Sequence, residues 1–270
     1  MKYCVEYYPN FRHNDEIDEI IYDFNKYGDP IIIDQMKRWR EDQRVIINGS
    51  QIQNFENFIP CIQVCRKNHN NLAVCVNIQQ KEAVKRLREA AIPFFYLQYV
   101  NNLEEMYAII NQGVSDIYIS ENLGFDIVNI GSFCKTKGIK VRVIPNVAQY
   151  KLEYKEDIPD PCKFFIRPED VKEYEPYVDV LEIYEKEMRL SVLYEIYTKQ
   201  KWIGNLNQLI SGLEESIENS AIPSIFGKAR LNCKKRCMYD QCSLCKTTQD
   251  LSNRVMDVRR GIKETDENKY

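Results

Sequence analysis

Histidine is nearly absent from this 270-residue chain. The two present, His13 and His69, lie in polar, loop-like surroundings. That scarcity argues against a Ser-His-Asp or Cys-His nucleophile system and against a histidine-ligated catalytic zinc. No G-x-x-x-x-G-K-[ST] loop is present, and nothing like G-x-G-x-x-G follows the first strand, so two familiar phosphate-binding loops are missing. No run approaches the roughly 18 apolar residues needed to span a bilayer. Met1-Lys2-Tyr3-Cys4-Val5-Glu6 lacks the apolar centre of a signal peptide, so the expectation is a cytoplasmic protein with no membrane partner. Neither sign of charge is in excess: 37 basic and 40 acidic residues leave a net −3, and no global field marks a polyanion as partner.

Cysteine, by contrast, is plentiful, with ten residues. Cys4, Cys61, Cys65, Cys75, Cys134 and Cys162 are scattered, several inside apolar runs, as reduced thiols buried as small hydrophobes would be. The other four, Cys233, Cys237, Cys242 and Cys245, fall within thirteen residues. A thiolate cluster that dense is most simply explained by a bound metal. Gaps of three, four and two residues suit zinc or an iron-sulfur cluster without choosing between them.

Elsewhere, short β-branched or aromatic runs alternate with amphipathic stretches. Strands are expected at Lys2 to Tyr7, Arg44 to Asn48, Leu72 to Ile78, Phe94 to Tyr99, Asp116 to Ser120, Lys140 to Ile144, Lys163 to Arg167 and Val180 to Tyr184. Asp15 to Phe24 reads as the first helix, with Ile17, Ile20, Ile21 and Phe24 at helical spacing. Asn205 to Ile217 reads as a further helix after the last strand. Eight β/α units in one alternation predict a (β/α)8 TIM-type barrel with a C-terminal cysteine-rich metal-binding appendage. The divisions would be 1–200 for the barrel, 201–250 for the extra helix and four-cysteine segment, and 251–270 for a charged tail.

Barrel strands are buried on both faces, so a charge inside an apolar run is costly unless paired or used. Glu6, Arg142, Arg167 and Glu182 each interrupt or end such a run. They are expected to meet at the C-terminal rim, Glu6 and Glu182 as proton-transfer groups and Arg142 and Arg167 as ligands for a carboxylate or phosphate. A structural ion-pair network is the competing account. Asn77 and Asn146, at strand ends with Asn48, Gln98 and Ser120, are further substrate-binding candidates.

The stretch Phe164-Phe-Ile-Arg-Pro-Glu-Asp-Val-Lys-Glu-Tyr-Glu-Pro-Tyr-Val-Asp-Val-Leu-Glu-Ile resembles the peptidase U32-like (collagenase-like) barrel proteins. Leu193-Tyr-Glu-Ile-Tyr, Trp202-Ile-Gly-Asn-Leu and the closing cysteine-rich segment share the resemblance, which is best from about Ile139 to Cys245. It implies a complete or incomplete TIM-type barrel and, in several branches, a four-cysteine [4Fe-4S] centre serving oxygen-independent hydroxylation of quinone precursors or RNA bases. Those hydroxylase branches spread their cysteines through the barrel, whereas here they are bunched after it, and no nucleophile and base support a peptidase. Two functions follow as expectations. One is an enzyme with an iron-sulfur or zinc centre acting on a small anionic or nucleic-acid-borne substrate. The other is a non-catalytic zinc-stabilised barrel serving as a protein- or RNA-interaction or assembly module.

Overall fold

The computed structural model describes residues 1–53, 55–120, 126–148, 163–185, 187–233 and 243–267. Its strands are β1 (Lys2–Glu6), β2 (Glu19–Asp23), β3 (Arg44–Asn48), β4 (Leu72–Val76), β5 (Phe94–Tyr96), β6 (Tyr99–Val100), β7 (Asp116–Ile119), β8 (Lys140–Val143) and β9 (Val180–Ile183). They form one sheet in the order β5-β4-β3-β2-β1-β9-β8-β7-β6, and every described pairing is parallel. β5 pairs with β4 and β6 with β7, so the interrupted strand 94–100 joins the two edges of the sheet. Ser115 N donates to Phe94 O at 2.8 Å and Ser120 N to Val100 O at 3.2 Å along that seam. With β5 and β6 counted as one strand, the nine segments make the eight positions of a TIM-type barrel.

The helices are α1 (Phe24–Met36), α2 (Phe58–Asn68), α3 (Lys81–Glu89), α4 (Leu103–Ile110), α5 (Ile127–Thr136), α6 (Val171–Tyr174), α7 (Glu187–Lys199), α8 (Phe226–Leu231) and α9 (Ser243–Glu267). They cover the outside of the sheet, and the large apolar cluster between sheet and helices is the main core. A smaller cluster, including Cys4, Ile21, Ile46, Cys75, Phe95 and Tyr118, fills the interior. Gly113 and Gly138, at φ 77° and 67°, take the left-handed turns between α4 and β7 and between α5 and β8, a conformation glycine reaches without a Cβ clash.

Three expected elements differ. Asp15 to Phe24 is not a helix: its second half is β2, hydrogen-bonded to β1 and β3. Ile20 and Tyr22 pack outward in the main core while Ile21 joins the interior cluster, a period of two that the isoleucine spacing had disguised as a helical period. Lys163 to Arg167, conversely, forms none of the sheet's strands, because β8 pairs directly with β9. β2, between β1 and β3, already completes the eight strands, and Ile166 N reaches toward the barrel, bonding Pro145 O at 3.0 Å. The expected helix at Asn205 to Ile217 is reduced to a 3-10 turn at Leu206–Gln208.

Candidate active site at the barrel mouth

The N-terminal half of the interior is a sealed salt-bridge network. Arg142 on β8, fully buried, donates through Nη1 to Glu19 Oε2 at 2.6 Å and Asp116 Oδ2 at 3.0 Å. Its Nη2 lies 3.4 Å from Glu182 Oε2. Arg44 grips both oxygens of Asp116 at 2.6 and 2.8 Å, and Lys140 Nζ reaches Glu19 Oε1 at 3.0 Å. Three cations and three carboxylates therefore balance across β2, β3, β7, β8 and β9, with the Arg142 guanidinium 5.2 Å above the Phe95 ring.

These charges hold one another ionised. Burial pushes the Glu19 and Asp116 carboxyls up, but Arg142, Arg44 and Lys140 outweigh it, and both end below the ordinary carboxylate range. A depressed carboxylate contributes stability above its unfolded-state value and loses it as pH falls through the folded value. The barrel should therefore keep this contribution down to about pH 4.5 and lose it progressively in more acid solution. Far-UV circular dichroism along an acid titration checks this; Asp116→Asn should lower stability at neutral pH and flatten the acid limb.

Above the network, the strand ends open into a chamber of about 140 Å³ lined by Glu6, Asp23, Asn48, Cys75, Leu97, Glu182 and Tyr184, among others. This is the C-terminal end of the strands, where active sites of this architecture lie. Glu182 spans floor and chamber: Tyr118 Oη donates to its Oε2 at 2.5 Å, beside Arg142. Glu6 is the second acid of the chamber. Burial raises its carboxyl, the Lys26 ammonium at 4.0 Å pulls it down, and Asp23 and Glu182 push it up again, with a net rise. Asp23 spends one oxygen capping α1 through Asn25 N and Lys26 N.

Of the residues expected at the rim, Glu6 and Glu182 line the chamber. Arg142 points inward but lies below it, committed to three carboxylates. Arg167 is elsewhere: it forks onto Asp170 at 2.6 and 2.7 Å, reaches Asn219 at 3.3 Å and stacks over Phe226. Its segment lies outside the barrel wall, because β8 pairs directly with β9 and β2, between β1 and β3, completes the eight strands. Asn146 is buried and bonds the main chain of Tyr184 at both groups, Nδ2 to O at 2.6 Å and N to Oδ1 at 3.0 Å. Asn77 is exposed and engages Gln79 N and, through its own N–H, Gln80 Oε1. Sequence reasoning missed Glu19, Asp23, Arg44 and Asp116. The first two were hidden by the helical reading of β2, and the last two each open an apolar run, where a charge passes for solvated. Of the four clustered cysteines, Cys237 and Cys242 lie outside the described residues; Cys233 is half-buried after α8, and Cys245, buried, begins α9. No group of three or more potential metal ligands occurs among the described residues.

No protein-family model matches the chain, and no curated protein matches it. Solved structures that are similar include an enolase-superfamily member from Agrobacterium tumefaciens, with TM-score 0.42 and 10% identity over 53% of this chain and 42% of that one. A putative isomerase from Sinorhizobium meliloti gives 0.47 and 8% over 71% and 53%, and the U32 peptidase Mk0906 gives 0.43 and 11% over 69% and 93%. The chain thus spans about half or less of the first two. Likenesses this distant do not reach to family or activity, and the barrel stands on its own hydrogen-bonded strand order.

Proposed function

We propose that this chain is a U32-like TIM-barrel protein that binds, and acts by proton transfer on, a small molecule in the C-terminal chamber. The observation that carries this is the convergence of Glu6, Asp23, Asn48 and Glu182 on one cavity above a sealed, charge-balanced floor. Glu6, its carboxyl raised above the ordinary carboxylate value chiefly by burial, is the proton donor and acceptor. Glu182, held by Tyr118 and Arg142, is the fixed partner that orients the ligand. The anionic substrate expected from two arginines loses its support, since neither lines the chamber.

Cys233, Cys237, Cys242 and Cys245 suit a metal by the chemistry of the donor set: four cysteines in one short segment. Bound there, zinc would tie the segment together, and an iron-sulfur cluster would add electron transfer. Neither Cys233 nor Cys245 lines the chamber, which favours the structural role and keeps the non-catalytic, zinc-stabilised reading as the second proposal.

Anaerobic purification with metal analysis separates the cases. A brown protein carrying iron and sulfide supports the cluster, and a colourless one with about one zinc per chain supports the staple. Serine at any of the four positions should remove most of the metal and leave the barrel's far-UV spectrum intact; a metal-free native protein sinks the metal reading. For the chamber, a ligand-observed NMR fragment screen should return hits that disappear in Glu6→Gln and Glu182→Gln. Hits indifferent to both changes would remove the mouth from consideration.

A further inference from the structure

The chamber adjoins a second, shallower cavity of about 380 Å³ lined by Tyr8, Tyr184, Glu185 and Arg189, with Tyr184 and Glu185 shared between the two. Tyr184 is the hinge of this double site. Its side chain is 60% exposed, yet its backbone is clamped on both polar groups by the buried Asn146 amide. With its main chain fixed at the cavity rim, this large aromatic ring offers a face to a ligand and has only its two side-chain torsions left to order.

The charge around it selects the ligand. Four carboxylates line the chamber: Glu6, Asp23, Glu182 and Glu185. Glu182 is offset by Arg142, Glu6 faces Lys26 and Glu185 faces Arg189 at 3.5 Å. Asp23 accepts main-chain N–H bonds and forms no ion pair among the described residues. Among the described residues the balance is thus one negative charge, at Asp23 where the chamber begins. The rim also shows an ammonium in such a setting, for Lys26 Nζ sits 4.4 Å from the Tyr8 ring centroid and 4.0 Å from Glu6 Oε1.

We infer that the mouth binds a compact organic monocation, an amine whose ammonium enters the chamber beside Asp23 and Glu6 and whose body lies across the face of Tyr184. The chamber's size suits this, since a cavity of about 150 Å³ accommodates a group the size of benzene. Asn146 is a positioning residue for Tyr184, and Asp23 is the determinant of charge. The inference rests on the proposal that the mouth is the ligand site, and names the ligand's class.

Calorimetric titration of the full chain with three matched probes, benzylamine, benzyl alcohol and benzoate, tests it. Benzylamine should bind at least tenfold more tightly than the alcohol, with benzoate weakest. Asp23→Asn, which keeps an acceptor to cap α1, and Tyr184→Ala should each weaken benzylamine several-fold. If the alcohol binds as well as the amine, or benzoate better, and Glu182→Gln abolishes that binding, the mouth stands as a site and the cation inference falls. Amine binding unchanged in both Asp23→Asn and Tyr184→Ala also overturns it. Binding by none of the three probes removes the mouth itself.

Discussion

Methionine in place of Arg142 should destabilise the barrel by about 3–5 kcal/mol, the range for removing one partner of a buried ion pair. The side chain is fully buried and serves three carboxylates at once. Without it Glu19 keeps Lys140 and a longer contact to Arg44, and Asp116 keeps Arg44. Glu182 then retains only the Tyr118 hydroxyl among its described partners. Urea unfolding of Arg142→Met, compared with Arg142→Met/Glu182→Gln, reads this directly: the double variant should recover part of the loss, because a neutral amide no longer needs the cation. A loss below about 1 kcal/mol would mean that the network is no stronger than a surface pair.

A loss of similar size, about 3–5 kcal/mol, is expected for Arg167→Ala, for a different reason. Arg167 and Asp170 are both buried outside the barrel, and the guanidinium lies over Phe226 of α8. Arg230, also on α8, stacks over the same ring and over Phe165 at 4.7 Å. Gly227 allows the close approach, since a Cβ there would stand 2.6 Å from the Asp170 carboxyl carbon. Removing Arg167 strands Asp170 and loosens α8 against the segment 163–174. The discriminating readout is binding of whichever mouth probe the wild type takes: below the unfolding transition it should be unchanged, and its selective loss would return Arg167 to the ligand site.

Both arginines stood out in the sequence for the same reason, a charge amid apolar residues, and both are engaged in buried ion pairs. The sequence signal reports burial, and burial alone does not distinguish a ligand-binding guanidinium from one already satisfied by neighbours distant in the chain. Glu6 and Glu182 were legible because their strands were: β1, β3, β4, β7, β8 and β9 stand where the β-branched runs put them. What was illegible depended on β2. Glu19-Ile20-Ile21-Tyr22-Asp23 supports either period over five residues, and only pairing with β1 and β3 decides it. That one misread strand concealed Glu19 and Asp23, two of the four charged residues of floor and mouth that the sequence did not reveal.

The sealed floor also bears on how the chain folds. Its tightest contacts join residues far apart in sequence: Arg44 to Asp116 across 72 positions and Arg142 to Glu19 across 123. Neither contact can form until strands from both halves of the chain enclose the same space, and the loop-closure entropy must be met before either is gained. Ring closure is therefore the late, slow event, and the reverse holds for unfolding. Once the two halves part, several charges are stranded together, so partial opening is disfavoured and the barrel should come apart as a unit.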